Sequence, residues 1–275
     1  MATSMQEGDP LLFAGPQQRV LVTGATGFIG RLLVRALLND GHAVVALTRS
    51  PQQAASLFSG AVRCVDSLDA LAPSERIDVV VNLAGARILG WRWTAARKAA
   101  LRRSRVALTE RVVAWIARAE HKPRLMLSAS AIGYYGVQAM GDTTPLAEDA
   151  PPQPVFMSQL CQEWEAAARA AGTGVGNGNG AGAGGGGGGR VTLRAAYNFT
   201  APEQVSQAEF SRTAASLLGR PCFVPTPGWP VRLLLGEQAD LLLEGQTVAP
   251  ARLLEEGFRF RYQDLRGALA ALLGK

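Results

Sequence analysis

Apolar and polar positions along the chain fall into blocks that alternate between strand and helix periods. Arg19 to Val22 is a short aliphatic run and predicts a buried strand. It breaks at Gly24-Ala25-Thr26-Gly27-Phe28-Ile29-Gly30, after which Leu32, Leu33, Ala36 and Leu37 recur on one helical face and Gly41 stops the helix. His42 to Thr48 is the second predicted strand, Val62 to Val65 the third, Asp78 to Leu83 the fourth and Arg124 to Ser128 the fifth. Between the last two runs the pattern predicts a helix from Thr94, its N-cap, to about Ala119. Near-continuous apolar strands separated by helices predict a parallel sheet covered on both faces, an α/β doubly wound (Rossmann-type) fold. Such sheets bind ligands at the carboxyl ends of their strands.

The second half changes character. Gly172 to Gly189 is a low-complexity insert, expected to be disordered, between a helix ending near Ala171 and a strand over Val191 to Leu193. After Ala201-Pro202 the pattern is helical. Ser206 caps Gln207 to Leu218 and Gly219 ends it. Pro225, Pro227 and Pro230 are expected to break the chain before Val231 to Leu243, and Asp264 caps a last helix to Leu273. The expected layout is a disordered tail over 1–18, a dinucleotide-binding domain over 19–200 and a small helical appendage over 201–275. The appendage should pack as a lid on the carboxyl-end rim of the sheet.

Composition narrows the class. The 275 residues are 48% hydrophobic and 18% charged, which suits one medium-sized soluble domain with a core of its own. No apolar run approaches the ~20 residues of a membrane span. Residues 1–18 contain Glu7 and Asp9 but no Arg or Lys, unlike a secretory signal or an Arg-rich transit peptide, so an intracellular protein is expected. Cys64, Cys161 and Cys222 are widely spaced and read as reduced thiols, and His42 and His121 offer no metal-ligand spacing, so no metal is expected. The net charge is +6, concentrated partly in Arg92, Arg97, Lys98, Arg102, Arg103 and Arg105. With Leu101, Leu108, Val112 and Trp115 on the other face, this run reads as a solvated helix face rather than a nucleic-acid surface. Attraction of an anionic substrate or cofactor explains the charge at least as well.

The glycine stretch carries the chemistry. Gly24 permits a tight turn out of the strand, Gly27 a close backbone approach to a pyrophosphate, and Gly30 close packing of the helix on the sheet. The helix N-terminus offers N–H groups and the positive end of its dipole to phosphates. A cofactor stretch of Thr23, Gly24, Thr26, Gly27, Phe28, Ile29 and Gly30 follows. At the end of the second strand stands Arg49, where an NAD site usually has an acid; its guanidinium would pair with a 2′-phosphate, which favours NADP over NAD.

The segments VTGATGFIG, NLAGA (82–86) and SASAIGYYG (128–136) resemble an extended short-chain dehydrogenase/reductase. More narrowly, WRWTAARKAALRRSR, GDTTPLAEDAPP and the tail LLLGEQADLLLEGQTVAPARLLEEGFRFRY are similar to one branch of it, the "epimerase family proteins". Bacterial members of that branch carry a SulA-like name, plant members include a plastid-division factor, and the C-terminal piece is a domain of unknown function. The resemblance runs from Arg19 to Leu273. It implies that Gly24, Gly27 and Gly30 hold the pyrophosphate, Arg49 meets the 2′-phosphate and Asp66 approaches the adenine. Leu83, Ala84 and Gly85 would line the nicotinamide side.

Hydride enzymes of this superfamily use a Ser, a Tyr and a Lys four positions after the Tyr. Register from Glu163-Trp164-Glu165-Ala166 puts Phe156 in the Tyr slot and Leu160 in the Lys slot, and neither can move a proton. Ser130 and Tyr135 are the remaining catalytic candidates, with Ser128 and Tyr134 nearby; one tyrosine could substitute as acid, packing is the favoured reading of both, and relatives use an aromatic at the Tyr135 position as part of the substrate wall. After Arg194 the chain enters Ala195-Ala196-Tyr197-Asn198-Phe199-Thr200, similar to a later strand of the branch, so a segment holding much of the substrate region is expected to be missing. Two classes stay open. One is an oxidoreductase or epimerase-like enzyme acting on an unknown small molecule. The other is a cofactor-binding, non-catalytic regulator with a protein partner, in cell or plastid division, located in cytoplasm or plastid stroma.

Overall fold

The structure, a computed structural model, describes residues 16–90, 92–139, 141–173, 191, 196–222 and 228–274. Five strands among them form one parallel sheet: β1 (Arg19–Thr23), β2 (Ala43–Leu47), β3 (Arg63–Val65), β4 (Val79–Asn82) and β5 (Leu125–Ser128). Their order is β3-β2-β1-β4-β5. The chain winds outward from β1 to β3, then returns and winds the other way through β4 and β5. The reversal lies between β1 and β4, where a crevice opens at the carboxyl ends. Register places Thr23 beside both Leu47 and Asn82, and Asn82 beside Ser128, so the last residues of four strands form one row along that rim.

The strands are apolar on both faces because both are covered. Leu21, Val45, Val80 and Met126 point to one side and bury against Trp115, Ile116 and Ala168, on α4 (Leu108–Arg118) and α5 (Phe156–Thr173). Their neighbours Val20, Val22, Val44, Ala46 and Val81 point to the other, against Val34 and Leu37 of α1 (Phe28–Asn39). At roughly 25 cal/mol per Å² of apolar surface, these two clusters supply most of the drive to fold. Gln17 and Gln18, inside the stretch expected to be a disordered tail, are tied to the Gly41 carbonyl and the His42 ring; residues 1–15 lie outside the described residues.

The helix predicted from Thr94 to about Ala119 is present, but not as regular α-helix. Thr94 caps α3 (Ala95–Arg102), accepting from the Arg97 N–H at 3.2 Å. Arg103–Ala107 is a π turn, and α4 follows directly. Leu101 and Thr109 are both fully buried. Eight residues of ordinary α-helix would leave them roughly 80° apart, and the wider π turn brings both inward. Arg105, in the middle of that turn, is only 7% exposed, so the solvated-face reading fails at this residue. Of the six cations in that run, Arg92 and Arg103 are exposed; Lys98, Arg102 and Arg105 lie against the α5 side chains Phe156 and Trp164, and Arg97 donates to the Arg87 carbonyl.

Other differences have local causes. The short helix α2 (Pro51–Leu57) was not anticipated, being too brief for a clear period; Pro51 sits in its first turn, where no N–H is needed. For the same reason Pro230 does not break the chain but lies inside the first turn of α7 (Gly228–Leu235). The interruption comes later, at Gly236 with φ +59°, which opens a 3₁₀ turn to Ala239 before α8 (Asp240–Leu243). Pro225, Pro227 and most of the glycine insert and of the strand expected at Val191–Leu193 lie outside the described residues; Val191 is buried but in no strand. Ser206 caps α6 (Gln207–Leu218) and Gly219 ends it left-handed at φ +63°. A short α9 (Ala251–Glu255) precedes α10 (Leu265–Leu272), capped by Asp264 on the Gly267 N–H at 2.6 Å.

The C-terminal segment meets the sheet at its carboxyl-end loops. Gln238, fully buried, accepts from the Gly90 N–H at 3.1 Å and donates to the Ile88 carbonyl at 3.3 Å. Gln246 donates to the Gly136 carbonyl, and Leu146 bridges Val248 through backbone bonds of 2.7 and 2.9 Å.

Because Trp115 is 0% exposed at the centre of the larger cluster, Trp115→Ala should cost about 3–5 kcal/mol of unfolding free energy, measured by urea denaturation with an unchanged m-value.

Candidate functional site

The carboxyl-end row places a polar network under the crevice. Thr23 Oγ1 donates to Asn82 Oδ1 at 2.7 Å. Asn82 Nδ2 donates to Thr109 Oγ1 at 2.8 Å and to Ser128 Oγ at 3.2 Å, and Trp164 Nε1 donates to Thr109 Oγ1 at 2.9 Å. Thr23 Oγ1 also accepts the Ala84 N–H at 3.1 Å, fixing the loop after β4. Asn82, Thr109 and Trp164 were not singled out in the sequence. The one signal available was an Asn ending an otherwise aliphatic strand, a polar group that burial obliges to find partners.

On that base sits the glycine turn. Gly24 has φ +71°, and a Cβ there would stand 2.8 Å from the Leu83 carbonyl carbon and 2.9 Å from the Ala84 nitrogen. The turn after β1 is therefore seated directly on the loop after β4, which only glycine permits. A Cβ at Gly30 would be 2.2 Å from the Gly24 carbonyl oxygen, so this glycine brings α1 down onto the turn. Gly27 is the N-cap of α1, with no side-chain cap to its first-turn N–H groups. Phe28 and Ile29, at the start of α1, are 80% and 66% exposed, an unusual amount of apolar surface at a helix N-terminus. The left-handed turn at Gly24, the N-cap Gly27 and first-turn N–H groups that no side chain caps offer the kind of donors a pyrophosphate needs.

The remaining predicted cofactor residues spread along the same rim. Arg49 is exposed, two residues beyond β2, and Asp66 is exposed directly after β3. Leu83, Ala84 and Gly85 follow β4 beside the glycine turn.

The two catalytic candidates are not joined to each other. Ser130 Oγ donates to Glu165 Oε1 at 2.7 Å. Tyr135 is 5% exposed, and its hydroxyl donates to Asn198 Oδ1 at 2.9 Å; burial pushes its pKa up. Asn198 in turn donates to the Ala249 carbonyl at 2.9 Å, so Tyr135 faces the C-terminal segment. Phe156 opens α5 with its ring edge-on to Trp93, centroids 5.2 Å apart, and with Lys98 Nζ at 4.9 Å and Arg102 Cζ at 5.2 Å from its centroid. Leu160 is fully buried in a cluster with Leu101 and Met157.

Trp93, Lys98, Arg102, Phe156, Glu237 and Asp240 help to line a cavity of about 510 Å³ between the α3–α5 surface and the C-terminal segment. Lys98 Nζ bonds Glu237 Oε2 at 2.6 Å across it, and Arg102 holds Glu163 through two bonds of 2.8 and 3.1 Å. Lys98 and Arg102 entered the sequence reading only as a charge run. The three thiols are free, and no group of His, Cys, Asp or Glu among the described residues could hold a metal. Nor is any described helix long and apolar enough to cross a membrane.

Residues 20–205 match the NAD dependent epimerase/dehydratase family, and residues 226–272 match a domain of unknown function, DUF1731. The chain is 33% identical over 306 aligned positions to the Arabidopsis thaliana "Epimerase family protein SDR39U1 homolog, chloroplastic", covering 94% of this chain and 87% of that protein. It is 29% identical to "Epimerase family protein YfhF" of Bacillus subtilis (strain 168), covering 92% and 97%. The crystal structure of human epimerase family protein SDR39U1 (isoform2) with NADPH aligns at a TM-score of 0.73 and 30% identity, covering 91% of this chain and 97% of that one.

Since a Cβ at Gly30 would overlap backbone rather than a flexible side chain, Gly30→Ala should lower stability by about 1–3 kcal/mol. A thermal melt that matches the unmodified protein would show that the turn relaxes freely.

Proposed function

The chain belongs to the NAD dependent epimerase/dehydratase family, and from that premise we propose that it binds NADP(H) across the carboxyl ends of its strands. The observation that carries this reading is the left-handed Gly24 turn butted against Leu83 and Ala84, with uncapped N–H groups of α1 above it. Gly24, Gly27 and Gly30, flanked by Thr23, Thr26, Phe28 and Ile29, cradle the pyrophosphate. Arg49 receives the 2′-phosphate, Asp66 lies toward the adenine, and Leu83, Ala84 and Gly85 border the nicotinamide. Ser130 and Tyr135 stand on the substrate side.

When bound, the nicotinamide supplies hydride chemistry; the chain's own residues decide how well protons follow. The position of the superfamily's tyrosine holds Phe156, its ring covered by Trp93, Lys98 and Arg102, and that of its lysine holds Leu160, sealed in apolar packing. Positioned acid–base groups contribute typically ~10²–10⁴-fold, so turnover is expected to be slow on the substrate, which is an unidentified small molecule. The second reading, a cofactor-binding regulator without turnover, of the SulA-like or plastid-division kind, is favoured by the same two residues. The expected loss of a segment after Arg194 draws support from the Arabidopsis alignment, whose 306 positions exceed the 275 residues of this chain.

Arg49→Ala should cost about 1.5–3 kcal/mol of NADPH affinity and leave NADH binding nearly unchanged; equal loss of both in a fluorescence titration removes the assignment.

Restoring the missing pair should not be symmetrical. Phe156→Tyr should fold, because the ring sits beside a cavity, whereas Leu160→Lys buries an ammonium and should cost about 3 kcal/mol or more. Activity is followed with NADPH and a panel of aldehydes, ketones and nucleotide sugars. Robust turnover by the unmodified chain, abolished by Tyr135→Phe, would overturn the reading and make Tyr135 the acid.

A further inference from the structure

Arg105 is 7% exposed, yet every group that holds it is neutral. One guanidinium nitrogen donates to the Ala86 carbonyl at 3.0 Å and another to Ser104 Oγ at 3.3 Å, while its Cζ lies 5.4 Å from the centre of the Trp164 ring. No described carboxylate forms an ion pair with it. Of the titratable groups that act on it, Arg97 repels it. The other, the Cys161 thiol, is pushed by burial to about 11 and stays neutral at physiological pH. Buried charges are ordinarily paired, because leaving one uncompensated is costly. Arginine cannot escape the cost by losing its proton. The π turn over Arg103–Ala107 points this cation inward, and π turns gather at functional sites.

Its position gives the charge a direction. Arg105 Cζ lies 2.9 Å from where a Cβ on Gly85 would be, so the cation is pressed against the loop after β4. That loop is on the far side of the switch point from β2 and Arg49. With the 2′-phosphate of the adenosine half over β2, the nicotinamide half falls over β4 and β5. Resting on the proposed NADP(H) binding, we propose that Arg105 is a fixed cation beneath the nicotinamide half that makes this protein bind the reduced, uncharged ring in preference to the oxidised, positively charged one. NADPH and NADP⁺ carry the same phosphates and differ here by one unit of ring charge. The ratio of their affinities therefore isolates the cation's effect. Unit charges on the order of 10 Å apart at an effective dielectric of ~20 change binding by about tenfold or more.

The test measures dissociation constants of NADPH and NADP⁺ for the full chain by calorimetry, in the unmodified protein and in Arg105→Met, Arg105→Lys, Arg103→Met and Arg49→Ala. The unmodified protein should bind NADPH about tenfold or more tighter than NADP⁺. Arg105→Met should bring the two constants to within about threefold, while Arg105→Lys and the exposed-site change Arg103→Met keep the preference. Arg49→Ala should weaken both forms alike and leave the ratio intact. Equal affinities in the unmodified protein overturn the proposal without recourse to any variant, as does a folded Arg105→Met protein that keeps the full preference. Failure of the unmodified protein to bind either form removes the proposed NADP(H) binding as well, whereas equal binding of both leaves that reading standing.

Discussion

The side chain of Asn82 is the joint on which the site is assembled. It is 1% exposed, and both ends of its amide are used: the oxygen takes the Thr23 hydroxyl, and the nitrogen bonds Thr109 and Ser128. Those partners sit on β1, α4 and β5, so one residue at the end of β4 fixes the relative heights of three strands and a helix. Through Trp164, which shares the Thr109 hydroxyl, the same set of bonds reaches α5. A network buried this deeply is worth having only when every member is satisfied, and this one leaves no side-chain atom of its members orphaned among the described residues. The glycine turn depends on it in turn: Thr23 holds the Ala84 N–H, and Ala84 is the surface on which Gly24 rests.

The C-terminal segment is attached by different means. Its contacts with the sheet loops run through glutamine side chains and backbone bridges: Gln238 to the 88–90 loop, Gln138 to the Thr247 N–H at 2.5 Å, Gln246 to Gly136. One ion pair, Lys98 with Glu237, crosses the cavity mouth where both side chains still see solvent. Such polar, partly wet contacts hold a position with much less apolar burial than the sheet clusters show, which suits a cover over a cavity better than a second core.

Much of this was readable from residue order because its causes are local. The strands follow from β-branched runs, the ends of α6 from Ser206 and Gly219, the start of α10 from Asp264, and the turn after β1 from three glycines whose crowding the structure makes explicit. What escaped depends on partners distant in sequence. An Arg within a basic run looks solvated until Trp164, 59 residues later, is packed over it. A proline reads as a breaker or as a first-turn residue only once the helix start is known, and Pro230 proved the second. The cavity beside Phe156 joins residues from α3, α5 and the 3₁₀ turn after α7, and no spacing in the sequence announces it.

The π turn between α3 and α4 is one residue longer than an α-helical turn, and that surplus sets the angular phase between two parts of a single rod. Below it the helix presents Thr109, Val112 and Trp115 to the sheet; above it Leu101 is buried while Lys98 and Arg102 lie against Phe156. Removing a single residue anywhere in 103–107 would let the rod run as plain α-helix with Leu101 and Thr109 seven positions apart, within about 20° of one another, so the faces above and below would stay in phase. What the shorter rod would lose is the widened turn in which Arg105 faces inward against Trp164. A one-codon deletion there would therefore leave the cavity wall aimed as it is and take away the seat of a single cation inside the helix layer.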